Sequence, residues 1–130
     1  MIKKTVTYKD LNGNDRTESF YFHFYESEIL EMEMSVEGGF AERIQRIIDA
    51  KDQPSLIREI KKFVLNAYGV KSDDGKRFIK NDDVKAAFVQ SPAYSKIFME
   101  LVMDDKVASE FVKGVVPAEM SDRVAAATTK

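Results

Sequence analysis

The segment whose residue types come nearest to a metal site is Lys71-Ser72-Asp73-Asp74-Gly75-Lys76-Arg77-Phe78-Ile79-Lys80. Two acids and a glycine between flanking helical patterns invite comparison with a calcium loop. With Gly75 in the sixth position, the first ligand would be Val70 and the twelfth Asn81. Calcium needs a carboxylate at the first position and a bidentate glutamate at the last, so only Asp74 falls in register. The segment reads instead as an Asp-Asp-Gly turn. The single histidine, His23, shares its strand face with Ser19, Tyr21 and Tyr25, which makes it a packed ring rather than a general base with a nucleophile in reach. No cysteine exists to serve as a nucleophile or soft ligand. Neither G-x-x-x-x-G-K-[ST] nor G-x-G-x-x-G is present, and Gly38-Gly39 reads as a hinge. Glu28, Glu31, Glu33 and Glu37 form an acidic run that suits a solvated face. Arg58, Lys61 and Lys62 lie among acids, too small a basic field for a recognition helix. No catalytic constellation emerges, and no metal or cofactor is expected.

What stands out is a helix over 92–103. Ser91-Pro92 is a cap followed by proline in the first turn. The helix then carries Tyr94, Ile97, Phe98, Met99, Leu101, Val102 and Met103, with only Lys96 and Glu100 charged. These apolar positions cover more than the ~100° stripe that one core-facing side requires. Either the helix is buried on several sides, or Met99 and Met103, one turn apart, belong to a pliable docking surface with Tyr94 near its start. On the N-terminal strands, Tyr21 and Tyr25 are the alternative partner-facing residues.

The elements that position these residues are legible along most of the chain. Ile2, Val6 and Tyr8 share one strand parity, with Thr5 and Thr7 on the other. Asp10 to Asp15 is a turn centred on Asn12-Gly13, a dipeptide that tolerates positive φ at both positions. Thr17 to Phe24 is the return strand, with Phe20, Phe22 and Phe24 on one face. Glu26–Glu37 alternates like a strand but is rich in helix formers, and Ser27 could cap a start. We read a short helix over 27–35, with a third strand as the alternative. Phe40, Ile44, Ile47 and Ile48 follow helical spacing. Asp52 and Pro54 open a helix whose stripe runs from Leu56 to Tyr68, with Gly69 as a left-handed C-terminal residue. A polar loop over 71–80, a short helix over 82–90, the helix 92–103 and a last helix from Asp104 or Asp105 complete the chain. That last helix is expected to stop at Gly114 and Pro117. The expected fold is therefore α+β: an N-terminal β-hairpin followed by four to five α-helices, with residues 1–117 as one domain and 118–130 as a flexible tail.

Composition narrows the function class. The 130 residues carry 20 Lys plus Arg and 22 Asp plus Glu, a net charge of −2. A nucleic-acid binder would ordinarily show a basic excess. Nine Phe and five Tyr supply enough large side chains for one core. No apolar region follows Met1-Ile2-Lys3-Lys4, and no run approaches the ~18 apolar residues of a membrane span. A cytosolic protein without nucleic-acid or membrane partners is expected.

Several segments together carry a family resemblance. They are Phe20-Tyr21-Phe22-His23-Phe24, the Glu-rich stretch closed by Gly38-Gly39-Phe40, Ile44-Gln45-Arg46-Ile47-Ile48-Asp49-Ala50 and Phe63-Val64-Leu65-Asn66-Ala67-Tyr68-Gly69. The most distinctive is Ser72-Asp73-Asp74-Gly75-Lys76-Arg77-Phe78-Ile79-Lys80, followed by Tyr94-Ser95-Lys96-Ile97-Phe98-Met99-Glu100-Leu101. Over about residues 5–117 the chain resembles tail assembly chaperones of long-tailed bacteriophages and prophages. The resemblance implies a non-enzymatic protein of the infected host cytoplasm, absent from the mature virion. It would bind the tape measure protein, keep it soluble and help recruit tail tube subunits, with self-association left open. A small phage or prophage regulator binding a host protein, and a structural tail component, are the alternative classes.

Overall fold

The computed structural model describes residues 1–115 apart from 36, 40, 41, 44, 45, 47 and 48, and omits the side chains of 105, 109, 112 and 113. The chain opens with β1 (Ile2–Lys9) and β2 (Asp15–Phe22), antiparallel from Ile2↔Phe22 to Lys9↔Asp15. The turn between them depends on Asp10, whose carboxylate accepts the backbone N–H groups of Asn12 and Asn14 at 2.9 Å. Only Gly13 takes a positive φ, of 83°, so the turn does not use the paired left-handed residues expected at Asn12-Gly13. Backbone bonds from Asp10 N–H to Asn14 O and from Gly13 N–H to Asp10 O close the turn, and the Asp10 carboxylate reinforces it.

Next comes α1 (Glu26–Met34), which decides between the helix and strand readings of the Glu-rich segment. Its start is one turn of reciprocal bonding, because Glu28 Oε1 accepts the Tyr25 N–H at 2.9 Å. The N-cap is therefore Tyr25 rather than Ser27. The residues expected to build a helix around 40–50 lie largely outside those described, although Glu42, Arg43, Arg46 and Asp49 are helical. Helix α2 (Gln53–Ala67) starts as anticipated, with the Asp52 carboxylate accepting the Ser55 N–H at 3.2 Å.

Its end differs from the expectation. Tyr68 does not continue the helix but opens β3 (Tyr68–Lys71), and Gly69 carries no left-handed φ. The polar loop then returns as β4 (Phe78–Ile79), paired with β3 through Val70↔Ile79 and Lys71↔Phe78. These two short strands extend the hairpin to a four-stranded antiparallel sheet in the order β1-β2-β3-β4, joined at Tyr21↔Gly69 and Phe22↔Tyr68. The loop is a compact turn in which Asp74 Oδ1 accepts from the Ser72 hydroxyl at 2.7 Å and the Lys76 N–H at 3.0 Å.

Three helices close the described chain: α3 (Asp82–Val89), α4 (Pro92–Met103) and α5 (Asp105–Val115). Both α3 and α4 begin at side-chain caps, Asn81 accepting from Val84 and Ser91 from Tyr94. Helix α5 runs through Gly114 instead of ending there. A Cβ on Gly114 would lie 3.0 Å from Ile2 Cδ1, so this glycine allows α5 to approach β1. The expected tail over 118–130 lies outside the described residues.

The helices pack on the sheet face that carries Phe20 and Phe22. Phe22 is fully buried, with its ring 5.1 Å from Phe111, 5.7 Å from Tyr68 and 5.9 Å from Phe88. Phe24, Val64, Ile97, Leu101 and Val115 fill the space around it. The opposite face is hydroxyl-rich, with Thr5 bonded to Ser19 at 3.0 Å and Thr7 to Thr17 at 3.1 Å. The extended residues after β2 tie the layers together, since the His23 N–H donates to Ala67 O at the end of α2 and the Phe24 N–H to Val115 O at the end of α5. Both bonds take a carbonyl from the last described residue of a helix.

Candidate docking surface

Helix α4 divides cleanly into two sides. Ala93, Tyr94, Ile97 and Leu101 are buried in the core. Met99 is 50% exposed and Met103 77% exposed, on a side shared with Lys96 and Glu100. The spacing 96, 99, 100, 103 places all four on one strip of the helix. Tyr94 does not share that strip. It is 9% exposed, stacked on Phe98 at 5.7 Å and edge-on to Phe88 at 5.3 Å. It therefore lies on the opposite side of the helix from the methionines, in the core.

The strip borders the sheet. Lys96 Nζ donates to the Thr7 carbonyl of β1, and Lys4 pairs with Glu100 at 3.4 Å. Nothing in the linear spacing signals these bonds, which join residues 89 and 96 positions apart. Leu30 and Met34 of α1, one turn apart and both exposed, form a second apolar pair that the acidic run around them conceals.

Tyr21 and Tyr25 sit elsewhere, with His23 between them. By strand alternation Tyr21 faces away from the helices, and Lys71 Nζ lies 5.2 Å from its ring centroid. Tyr25 is about half exposed and meets His23 edge-on at 4.9 Å. The structure therefore places the five candidate residues in three settings: Met99 and Met103 on the α4 strip, Tyr94 in the core, and Tyr21 and Tyr25 around His23.

An open groove of about 380 Å³ is lined in part by Phe24, Glu28, Met32, Lys80 and Lys85. Three of its charged side chains are engaged. Lys80 donates to Glu28 Oε2 at 2.7 Å and to the His23 carbonyl at 2.8 Å, with Phe24 beneath it at 4.6 Å, and Lys85 donates to Asn66 at 3.1 Å. Burial holds the Lys80 ammonium below its ordinary pKa while Glu28 pulls it back up. This ion pair fastens β4 to α1 and presents no free nucleophile or base. Among the described residues no group of three or more His, Cys, Asp or Glu is placed to hold a metal ion.

His23 contributes a pH dependence. Its Nδ1 is buried without a hydrogen-bond partner. Burial, the Met1 ammonium and Lys80 hold its pKa below the ordinary 6.5. The unfolded chain thus binds a proton that the folded chain resists, so His23 contributes fully above pH ~6.5 and less as pH falls through the folded pKa. The denaturation midpoint is expected to fall between about pH 7 and pH 5, and His23→Phe should flatten that fall. Carboxylates titrate below about pH 4.5 and leave this window largely to the imidazole. A wild-type midpoint constant across the window would show that the ring pays no penalty on charging.

The described residues thus form a two-layer α+β fold with an exposed methionine strip on α4. A family model described as phage tail assembly chaperone matches residues 1–130, and the chain belongs to that family. The family is non-enzymatic and acts on tail proteins in the host cell. No curated protein and no solved structure matches the chain. No helix among the described residues is long and apolar enough to cross a membrane.

Proposed function

We propose that this protein binds the tape measure protein, keeps it soluble and helps bring tail tube subunits to it. It does so in the cytoplasm of the infected cell and stays out of the mature virion. Residues 1–117 suffice for this work. The observation that carries the reading is the exposure of Met99 and Met103 on a helix whose other side is core. Thioether side chains adapt to varied apolar contours, which suits a long, repetitive helical client. Membership of the tail assembly chaperone family supports a tail protein as that client.

The test is the double change Met99→Glu, Met103→Glu, co-expressed with the tape measure protein. Both positions are open to solvent, so the variant's own stability should move by less than about 0.5 kcal/mol per site. The soluble tape measure yield should fall about tenfold, the effect of losing roughly 1.4 kcal/mol of binding. Undiminished yield from a folded variant would remove the strip from the docking surface.

A further inference from the structure

Among the described residues the sheet has one long edge with no strand beyond it, only its Thr7 carbonyl being reached by a side chain, that of Lys96. Strand β1 spans eight residues and is terminal in the strand order, and no described strand lies beyond it. Which of its backbone groups face outward follows from the ladder. The Asp10 N–H donates to Asn14 O at 2.9 Å, making that pair a hydrogen-bonded one. Pairing alternates along an antiparallel ladder, so Tyr8, Val6 and Lys4 bond to β2 while Lys9, Thr7, Thr5 and Lys3 turn their N–H and C=O groups away from it. Two observations agree. The hydroxyl pairs Thr5–Ser19 and Thr7–Thr17 occupy the closer, non-hydrogen-bonded sites. The Thr7 carbonyl is also the one that Lys96 reaches from α4.

We propose that the outer edge of β1 and the Met99–Met103 strip of α4 form one surface that takes an extended, acidic segment of a partner protein as a fifth strand. This rests on the docking role of the methionine strip. An added strand would lie ~4.8 Å beyond β1, with alternate side chains directed toward the helical layer. Lys96 and Glu100 bond directly to β1, so the strip they share with Met99 and Met103 flanks the space those side chains enter.

Charge selects the occupant. Lys3, Lys4, Lys9 and Lys96 frame the edge, with Glu100 on Lys4 at 3.4 Å and Asp15 on Lys9 at 3.2 Å as its counter-charges. This is a cationic margin on a chain of net charge −2. Edge lysines repel a second copy of the same strand, and the same lysines favour a strand that alternates apolar residues with Asp or Glu.

The probes are two synthetic peptides, one alternating Val with Glu and one alternating Val with Lys, read by amide exchange on the full chain. The Val/Glu peptide should slow exchange at Thr5 and Thr7 by about tenfold or more, as pairing of exposed amides does. The Val/Lys peptide should not. Thr5→Pro removes an outward donor without touching a β1–β2 bond and should abolish the effect, proline being tolerated at sheet edges. If that variant fails to fold, the wild-type exchange still decides. Unchanged exchange at Thr5 and Thr7 with the Val/Glu peptide overturns the strand proposal. So does equal protection by both peptides, or protection that appears on self-association without peptide. Loss of tape measure yield in Met99→Glu, Met103→Glu alongside unchanged exchange would leave helix-strip docking intact and remove only the strand.

Discussion

Phe22→Ala is expected to cost about 3–5 kcal/mol, the usual range for emptying a phenylalanine site in a packed core. That is a large part of the roughly 5–15 kcal/mol that holds a domain of this kind together. Phe22 is the common neighbour of a second strand of the sheet and two helices. Its ring touches Tyr68 of β3, Phe88 of α3 and Phe111 of α5, and it is completely withdrawn from solvent. These contacts come from distant parts of the chain, so the surrounding rings cannot relax into the space together without moving whole elements. In urea, with a slope of about 2 kcal/mol per molar, the midpoint should drop by roughly 2 M at unchanged slope. Phe98, half-buried on α4, should lose much less on the same truncation. Comparable losses at the two sites would place the centre of the core elsewhere.

The second large effect is at Gly69. A Cβ there would stand 2.7 Å from Phe78 Cε2 and 2.9 Å from the Ile79 carbonyl oxygen. The phenylalanine ring can swing aside, but the carbonyl belongs to the backbone of β4 and moves only if the pairing Val70↔Ile79 yields. Gly69→Ala should therefore cost about 1–3 kcal/mol as an overpacked site. It should also loosen β4 and with it Lys80, which holds Glu28 of α1. Gly75→Ala is the control. Its φ is +75° but nothing lies within 4 Å of the added carbon, so it should cost only the left-handed penalty of about 1–2 kcal/mol and leave the Lys80–Glu28 pair in place. An exchange-protection map of the β4 and Lys80 amides separates the two. If Gly69→Ala leaves those amides as protected as Gly75→Ala does, the close approach is not what keeps this position glycine.

The positions where sequence and structure part company share a cause. Tyr68 lies one helical step beyond Val64 and Ala67, so periodicity extends α2 through it and makes Gly69 a helix terminator. In the folded chain Tyr68 stacks on Phe88 at 4.0 Å and Gly69 lies against β4. A four-residue strand and a two-residue strand carry too few residues to show a period of two; β3 forms because β2 offers it an edge, and β4 because β3 does. The Glu-rich segment was open for the opposite reason, since its alternation and its propensities disagree. Glu28, bonding both Tyr25 and Lys80, shows how the helix was stabilised.

By itself the sequence determines the hairpin, the capped starts at Asp52 and Ser91 and the helices that follow them. Each of these depends on residues within about one turn or one hairpin of each other, where type and spacing suffice. Tertiary structure alone decides which apolar residues of α4 face inward. Tyr94, Ile97, Met99, Leu101 and Met103 all satisfy helical spacing, and only contact with Phe88, Val6 and the sheet assigns Tyr94 to the core and the methionines to solvent. It also decides that Lys96 and Glu100 reach β1, and so that the methionine strip lies on the side of α4 that borders this strand. A helical period records how residues are arranged around an axis, while the side that becomes surface depends on elements that meet only when the chain folds.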